Sequence, residues 1–323
     1  MNLLFRIGLL LGFIFIAQVH GDERIIDAIK SGQKDLLQSL ISGGLNVNVA
    51  NQEGKTPLHE AVSKGDEKII EMLLAAGANP NAKNYLGQTP LHILANSSPI
   101  APSNADRIID LLCKHGAQIN AQDANKATPL WDAASCGWTN IVKSLLDHHA
   151  DPVLSGPNGE TVVHAIIGIR DYHEKERLDI LKLWVSRYKD LNINTPDKNG
   201  NTPLHKAADA GKAMLVKFLI NEVHANPMIA NQENELPLHL AVTRGNLPTV
   251  KALLEANIGI SGHRLKKSMI NAQNKEGNTP LILATWNQEK DIVEYLLSVG
   301  ADYSIKNKVN QTAVDLGMLN NDL

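Results

Sequence analysis

Twelve histidines and two cysteines are the side chains of this 323-residue chain best suited to holding a metal or moving a proton. Five of the histidines, His59, His92, His164, His205 and His239, stand three residues into one recurring phrase. A histidine that recurs once per phrase serves each unit separately and does not gather with its fellows around one ion. The remaining candidates, Cys113, His115, Cys136, His148 and His149, lie in neighbouring segments, yet none of them forms a Cys-x-x-Cys or His-x-x-x-His pair of the kind that closes on zinc. Cys113 follows Leu111-Leu112 in an apolar stripe, and it and Cys136 read as buried thiols. Nucleophile-elbow, phosphate-loop and dinucleotide fingerprints are missing from the sequence. Asp171, Glu174 and Glu176 read as a solvated charged face, not as a general acid and base. The sequence therefore predicts no catalytic residue, no metal, no cofactor and no small-molecule substrate.

The phrase itself is Thr-Pro-Leu-His, beginning at Thr56, Thr89 and Thr202, with variants from Thr128, Thr161, Leu236 and Thr279 and a weaker copy from Thr312. Successive copies start 33, 39, 33, 41, 34, 43 and 33 residues apart, the mark of a stacked repeat. Thr before Pro starts a helix: the hydroxyl accepts from an orphan N–H, and Pro at the first helical position gives up an N–H that had no partner. Small pairs such as Ala133-Ala134 and Ala207-Ala208 let neighbouring helices approach, and Gly65, Gly137, Gly211 and Gly245 end this first helix. Stripes such as Ile69-Ile70-Glu71-Met72-Leu73-Leu74 and Ile292-Val293-Glu294-Tyr295-Leu296-Leu297 predict a second helix that buries one face. Gly77, Gly116, Gly300 and Asn257 suit its left-handed C-terminus, and a polar turn leads into the next phrase.

These residues resemble those of the ankyrin-repeat family, and the resemblance covers nearly all of the chain after the first twenty residues. It implies an all-α repeat solenoid of stacked helix pairs with projecting β-turn fingers. In that frame residues 22–49 form an N-terminal cap, 50–311 the repeat array and 312–323 a truncated C-terminal cap. Insertions fall near 96–105, 168–178 and 259–270. The first reads as a solvated loop from Ser97 to Ser103, and the second, around Arg170 to Arg177, as a charged lengthening of its helices. The third, Gly259 to Ser268 with His263, Arg264, Lys266 and Lys267, reads as a basic loop that enlarges one finger.

The resemblance further implies that the recurring histidine bridges neighbouring turns. It also implies that a protein partner binds the finger tips and the concave face of the first helices, without catalysis. Carried onto this sequence, the finger tips include Asn84, Tyr85, Leu86, Lys275 and Glu276, and the first-helix face includes Asp132, Ser135, Lys206, Arg244 and Trp286. Tyr85 with Leu86, and Trp286, lead the candidates because aromatic side chains dominate binding hot spots. Trp131, Trp138 and Trp184 are assigned to packing. Self-association through an apolar C-terminal edge is a second expectation.

Thirty-one Lys and Arg against thirty-four Asp and Glu give a net charge of −3, which argues against a nucleic-acid partner held by a broad basic surface. Met1 to Gly21 differs from the rest: Arg6 precedes an uncharged run from Ile7 to Val19, and Val19-His20-Gly21 offers small residues for cleavage. This predicts a signal peptide at residues 1–21 and a secreted or periplasmic product, an exported member of the family of the kind bacteria make. An uncleaved membrane anchor at residues 7–19 is the alternative.

Overall fold

The computed structural model describes residues 24–96, 102–168, 174–188, 190, 192–256 and 262–319. The predicted signal or anchor segment, Asp171, Asn257 and residues 97–101 of the first insertion lie outside the described residues. No strand occurs among the described residues.

Two compact units divide the chain, Met1–Pro157 and Asn158–Leu323. In the first, a helix over residues 24–30 (α1) and α2 (Lys34–Ser42) precede α3 (Pro57–Lys64) with α4 (Glu67–Ala75), α5 (Pro90–Asn96) with α6 (Pro102–Lys114), and α7 (Pro129–Cys136) with α8 (Thr139–Asp147). First helices pack on first helices, α3 on α5 on α7, and second helices likewise, α4 on α6 on α8. Ile69, Ile70 and Leu73 of α4 and Ile108, Ile109 and Leu112 of α6 fill the space they share. Each such side chain contributes about 1.5–3 kcal/mol by leaving water. Because α6 begins at Pro102, the predicted loop from Ser97 to Ser103 gives up its last two residues to a helix.

The second unit holds α9 (Val162–Ile167) with α10 (Glu174–Arg187), α11 (Pro203–Asp209) with α12 (Ala213–Asn221), α13 (Pro237–Thr243) with α14 (Leu247–Glu255), α15 (Gly262–Ile270), α16 (Pro280–Trp286) with α17 (Lys290–Ser298), and α18 (Ala313–Leu319). The rows repeat: α9, α11, α13, α16 and α18 pack in succession, as do α10, α12, α14 and α17. Both units have the all-α repeat solenoid architecture.

The third insertion corrects the sequence reading, for it forms helix α15 and not a basic loop. Leu265 and Met269, four residues apart, share one helical face, and Met269 and Ile270 are buried. That apolar anchor is short, and the lysines between hide it in the sequence. Packing of α13 on α16 continues past the inserted helix.

The charged second insertion also does more than lengthen a helix. Arg177 is buried, and its Nη1 donates to the carbonyls of Ala165 and Ile166, at 3.3 and 3.1 Å, in the last turn of the short α9. Glu174 Oε1 accepts from the N–H groups of Met214 and Leu215, at 2.7 and 3.1 Å, and so caps α12 from the preceding repeat. Glu174 thus leaves the solvated face to which its sequence context assigned it.

In the phrase, the Thr56 N–H donates to His59 Nδ1 at 3.1 Å, which leaves the ring proton on Nε2 to donate to the Gln88 carbonyl at 3.0 Å. His92, His164, His205 and His239 bridge to Ala127, Asn201, Glu235 and Ala272 in the same way. All five rings are buried, and burial lowers their pKa, that of His239 to about 4. Trp131 takes the histidine's place in the third phrase, and Thr128 Oγ1 then accepts from the Trp131 N–H at 3.2 Å. The larger ring reaches the chain beyond: a Cβ on Gly156 would lie 2.5 Å from Trp131 Cδ1, so the indole and the glycine fit only as a pair.

Candidate interaction surface

Each regular finger is built around one Asn or Asp, five residues before the phrase. Asn84 Oδ1 accepts from the N–H groups of Leu86 and Gln88, both at 2.9 Å, while the Asn84 N–H donates to the Gln88 carbonyl at 3.0 Å. Asn51, Asp123, Asp197, Asn231, Asn274 and Asn307 make the same pair of side-chain bonds. The turn then closes through a left-handed residue, Gly54, Gly87, Lys126, Gly200, Asn234, Gly277 or Asn310. Asn84 is therefore the buried hub of its finger and not a contact position at the tip. The hub was open to view as a recurring Asn or Asp, but in a chain rich in Asn it did not stand out.

Adjacent fingers are joined through the backbone. In the first unit the Tyr85 N–H donates to Glu53 O at 3.1 Å and the Ala124 N–H to Leu86 O at 3.0 Å. In the second, Lys198, Gln232, Lys275 and Lys308 donate to Asn158, Asn199, Glu233 and Glu276, each at 2.9 Å. A second set of side-chain amides, on Asn48, Asn81, Asn120, Asn194 and Asn271, ties the base of each finger to the next repeat. Sequence reasoning missed this set too.

On this frame Tyr85 is 77% exposed and Leu86 61%, side by side at one tip. Trp286, at the end of α16, is 62% exposed. Arg244 is exposed and its Nε donates to Asp209 Oδ1 at 2.6 Å. Lys206 and Ser135 are half-buried; Lys206 Nζ pairs with Glu160, and Ser135 Oγ donates to the Asp132 carbonyl at 2.9 Å.

Asp132 departs from its expected place on the exposed first-helix face. It is 6% exposed, and its Oδ2 accepts from Asn96 Nδ2 at 2.9 Å. Burial, with the charge of Asp123 adding to it, pushes the carboxyl up to about 7 against the pull of Asn96. Length explains the difference from Lys206, which holds the matching position in α11: a long stem carries its ammonium outward, whereas a carboxyl one bond from Cβ stays where the helix puts it.

Cys113 and Cys136 are half-buried and in no disulfide, so they are free thiols less deeply buried than the sequence suggested. Trp184 is buried, while Trp131 and Trp138 are half-buried with their Nε1 atoms enclosed. His148 lies 3.8 Å from Asp110, but no three His, Cys, Asp or Glu side chains converge as metal ligands among the described residues.

Family profiles of ankyrin repeats match residues 25–123, 100–172 and 170–264, and a further one matches 238–297. The chain belongs to the ankyrin-repeat family. This ankyrin array is 31% identical over 207 residues to alpha-latrocrustotoxin-Lt1a of Latrodectus tredecimguttatus, covering 61% of the chain and 14% of the toxin. It is 34% identical over 129 residues to ankyrin repeat and SAM domain-containing protein 6 of Rattus norvegicus, covering 40% and 13%. Inversin of Homo sapiens is 30% identical over 199 residues, 60% of the chain and 17% of inversin. The array thus spans less than a fifth of the curated relatives it matches. Ankyrin repeats are in general a protein-interaction fold. No helix among the described residues is long and apolar enough to cross a membrane.

Proposed function

We propose that this ankyrin array is a non-catalytic, exported scaffold that holds a protein partner on its finger tips and on the free face of its first helices. The observation that carries the reading is an exposed apolar pair on an ordered backbone: Tyr85 and Leu86 face water on a finger bonded to both of its neighbours. Such a surface loses little conformational entropy on association, and a few aromatic anchors supply the affinity. Trp286 does the same on α16, while Ser135, Lys206 and Arg244 offer polar contacts. Asp132, being buried, contributes by holding Asn96. Tyr85→Ala and Trp286→Ala should leave helicity by circular dichroism unchanged and weaken the purified complex by about tenfold or more. Unchanged affinity would sink the assignment of these residues.

Export rests on the uncharged run behind Arg6. Mass spectrometry of the protein from its host tests it: a mature N-terminus at Asp22 supports a secreted or periplasmic scaffold, and an intact Met1 in the membrane fraction supports an anchored one. Self-association is a second reading, favoured by the exposed Leu297, Val299, Tyr303, Val309 and Val314 near the C-terminal end. Deleting residues 312–323 should then shift the sedimentation coefficient toward the monomer, whereas an unaltered oligomeric state excludes it.

A further inference from the structure

We infer that the groove along the last fingers of the second unit binds an acidic, carboxylate-rich peptide segment. The inference rests on the scaffold reading and adds the chemistry of the partner. The groove measures about 430 Å³ and runs from Asn234 past Gln273, Asn274 and Lys275 to Lys306 and Lys308, with no carboxylate in its lining. Lys275 is partly neutralised by Glu233 at 3.3 Å. Lys306 and Lys308 are exposed and have no ion pair among the described residues. Two ammonium groups outside any close ion pair, Lys306 acting only at longer range on Asp315, stand beside a third and suit carboxylates by charge-assisted hydrogen bonding.

The floor of the groove supplies the second observation. Asn274 is 8% exposed, and its Oδ1 is committed to the N–H groups of Glu276 and Asn278. Its Nδ2 has no hydrogen-bond partner among the described residues, although the hub amides of Asn84, Asn231 and Asn307 donate to Gln88, Asn201 and Asn278 at 3.1, 3.0 and 3.0 Å. Asn274 lines the groove with its amide nitrogen still uncommitted, a donor that a carboxylate or peptide carbonyl can engage in place of water. Asn234 Nδ2 donates to the Gln273 carbonyl and Gln273 Nε2 to the carbonyls of Gly277 in its own finger and Lys306 in the next, which fixes the walls. No aromatic ring lines the groove for bases to stack on, and three lysines neutralise few phosphates, so a peptide fits better than a nucleic acid.

The test uses the full chain and fluorescence anisotropy with a labelled Asp/Glu-rich peptide, its Asn/Gln counterpart and an oligothymidylate. The acidic peptide should bind, more weakly as salt rises, and the neutral peptide should not. Lys306→Glu with Lys308→Glu should weaken binding about tenfold or more. Asn274→Asp should weaken it severalfold without harm to the finger, because Asp123 and Asp197 already serve as hubs. Equal binding of the neutral peptide, tighter binding of the oligothymidylate, no binding at low salt, or indifference to both variants would each overturn the inference. Partner capture by cross-linking separates its failure from that of the scaffold reading. If the lysine variant captures as wild type does while Tyr85→Ala with Trp286→Ala does not, the groove assignment falls and the scaffold stands. If the lysines govern peptide binding but wild type captures nothing in the cell, the scaffold reading falls instead.

Discussion

The finger carrying Tyr85 and Leu86 in the first unit and the finger carrying Lys275 and Glu276 in the second have one backbone and opposite outward chemistry. Both turn on an Asn hub, Asn84 or Asn274, and both close through a left-handed glycine, Gly87 at φ +75° or Gly277 at φ +78°. In both, a Cβ on that glycine would meet the N–H of the next finger, at 2.7 Å for Ala124 and 2.9 Å for Lys308. What differs is the pair of side chains facing water, aromatic and apolar in one and charged in the other. Inward positions make any finger, and outward positions make a particular one.

Breaking what the fingers share should cost most. Gly277→Ala should destabilise by about 3 kcal/mol, from left-handed strain together with the clash on Lys308. Gly300→Ala, at φ +94° with nothing within 4 Å of the added carbon, should cost only about 1 kcal/mol. Urea titration of both variants isolates the close approach, and equal costs would mean that the fingers yield.

His205→Ala comes next, at about 2–3 kcal/mol by the same titration, because it strands the Thr202 N–H and the Glu235 carbonyl and leaves a hole. The same slot sets the response to acid. His239 has a folded pKa of about 4 against an ordinary 6.5, so the unfolded chain takes up its proton first. Its contribution is complete above pH 6.5 and is lost as pH falls toward 4, a loss on the order of 3 kcal/mol at the acid end. Thermal melts between pH 7 and pH 4.5 should show the decline, and His239→Leu should make it shallower while lowering stability at pH 7, with His59, His92, His164 and His205 sustaining the remainder.

Asp132→Asn should act in the opposite direction. A carboxyl raised to about 7 when folded favours the fold below the ordinary carboxylate pKa of 3.8, and that support disappears as pH rises through 7. The substitution should therefore add about 2 kcal/mol at pH 8 and progressively less toward pH 4, as read from denaturation midpoints. A gain that does not vary with pH would show that the carboxyl is not the cause. Smallest of all, Tyr85→Ala and Lys275→Ala should each change stability by less than about 0.5 kcal/mol. Those two outward positions should change binding alone.

The helix pairs were legible because Thr-Pro-Leu-His encodes a cap, a first turn and a bridge in four adjacent residues. The hubs at Asn84 and Asn274 were not, since each works by length and direction against a backbone that the sequence does not display. Helix α15 escaped because His263, Arg264, Lys266 and Lys267 outnumber the apolar anchors that seat it. Asp132 was misplaced because a position that exposes a long side chain buries a short one. The exposure of Tyr85, Leu86 and Trp286 followed from register alone, which the phrase fixes.

The amide of Tyr85 is tied to Glu53 while its ring stands in water, and the amides of Lys275 and Lys308 are tied in the same way. Hydrogen exchange at these tips should accordingly be slow although their side chains are exposed. A lineage can rewrite such a side chain without loosening the backbone beneath it. Drift at residues 85, 86, 275 and 308 therefore changes which molecule is held, and leaves the time for which the surface keeps its shape untouched.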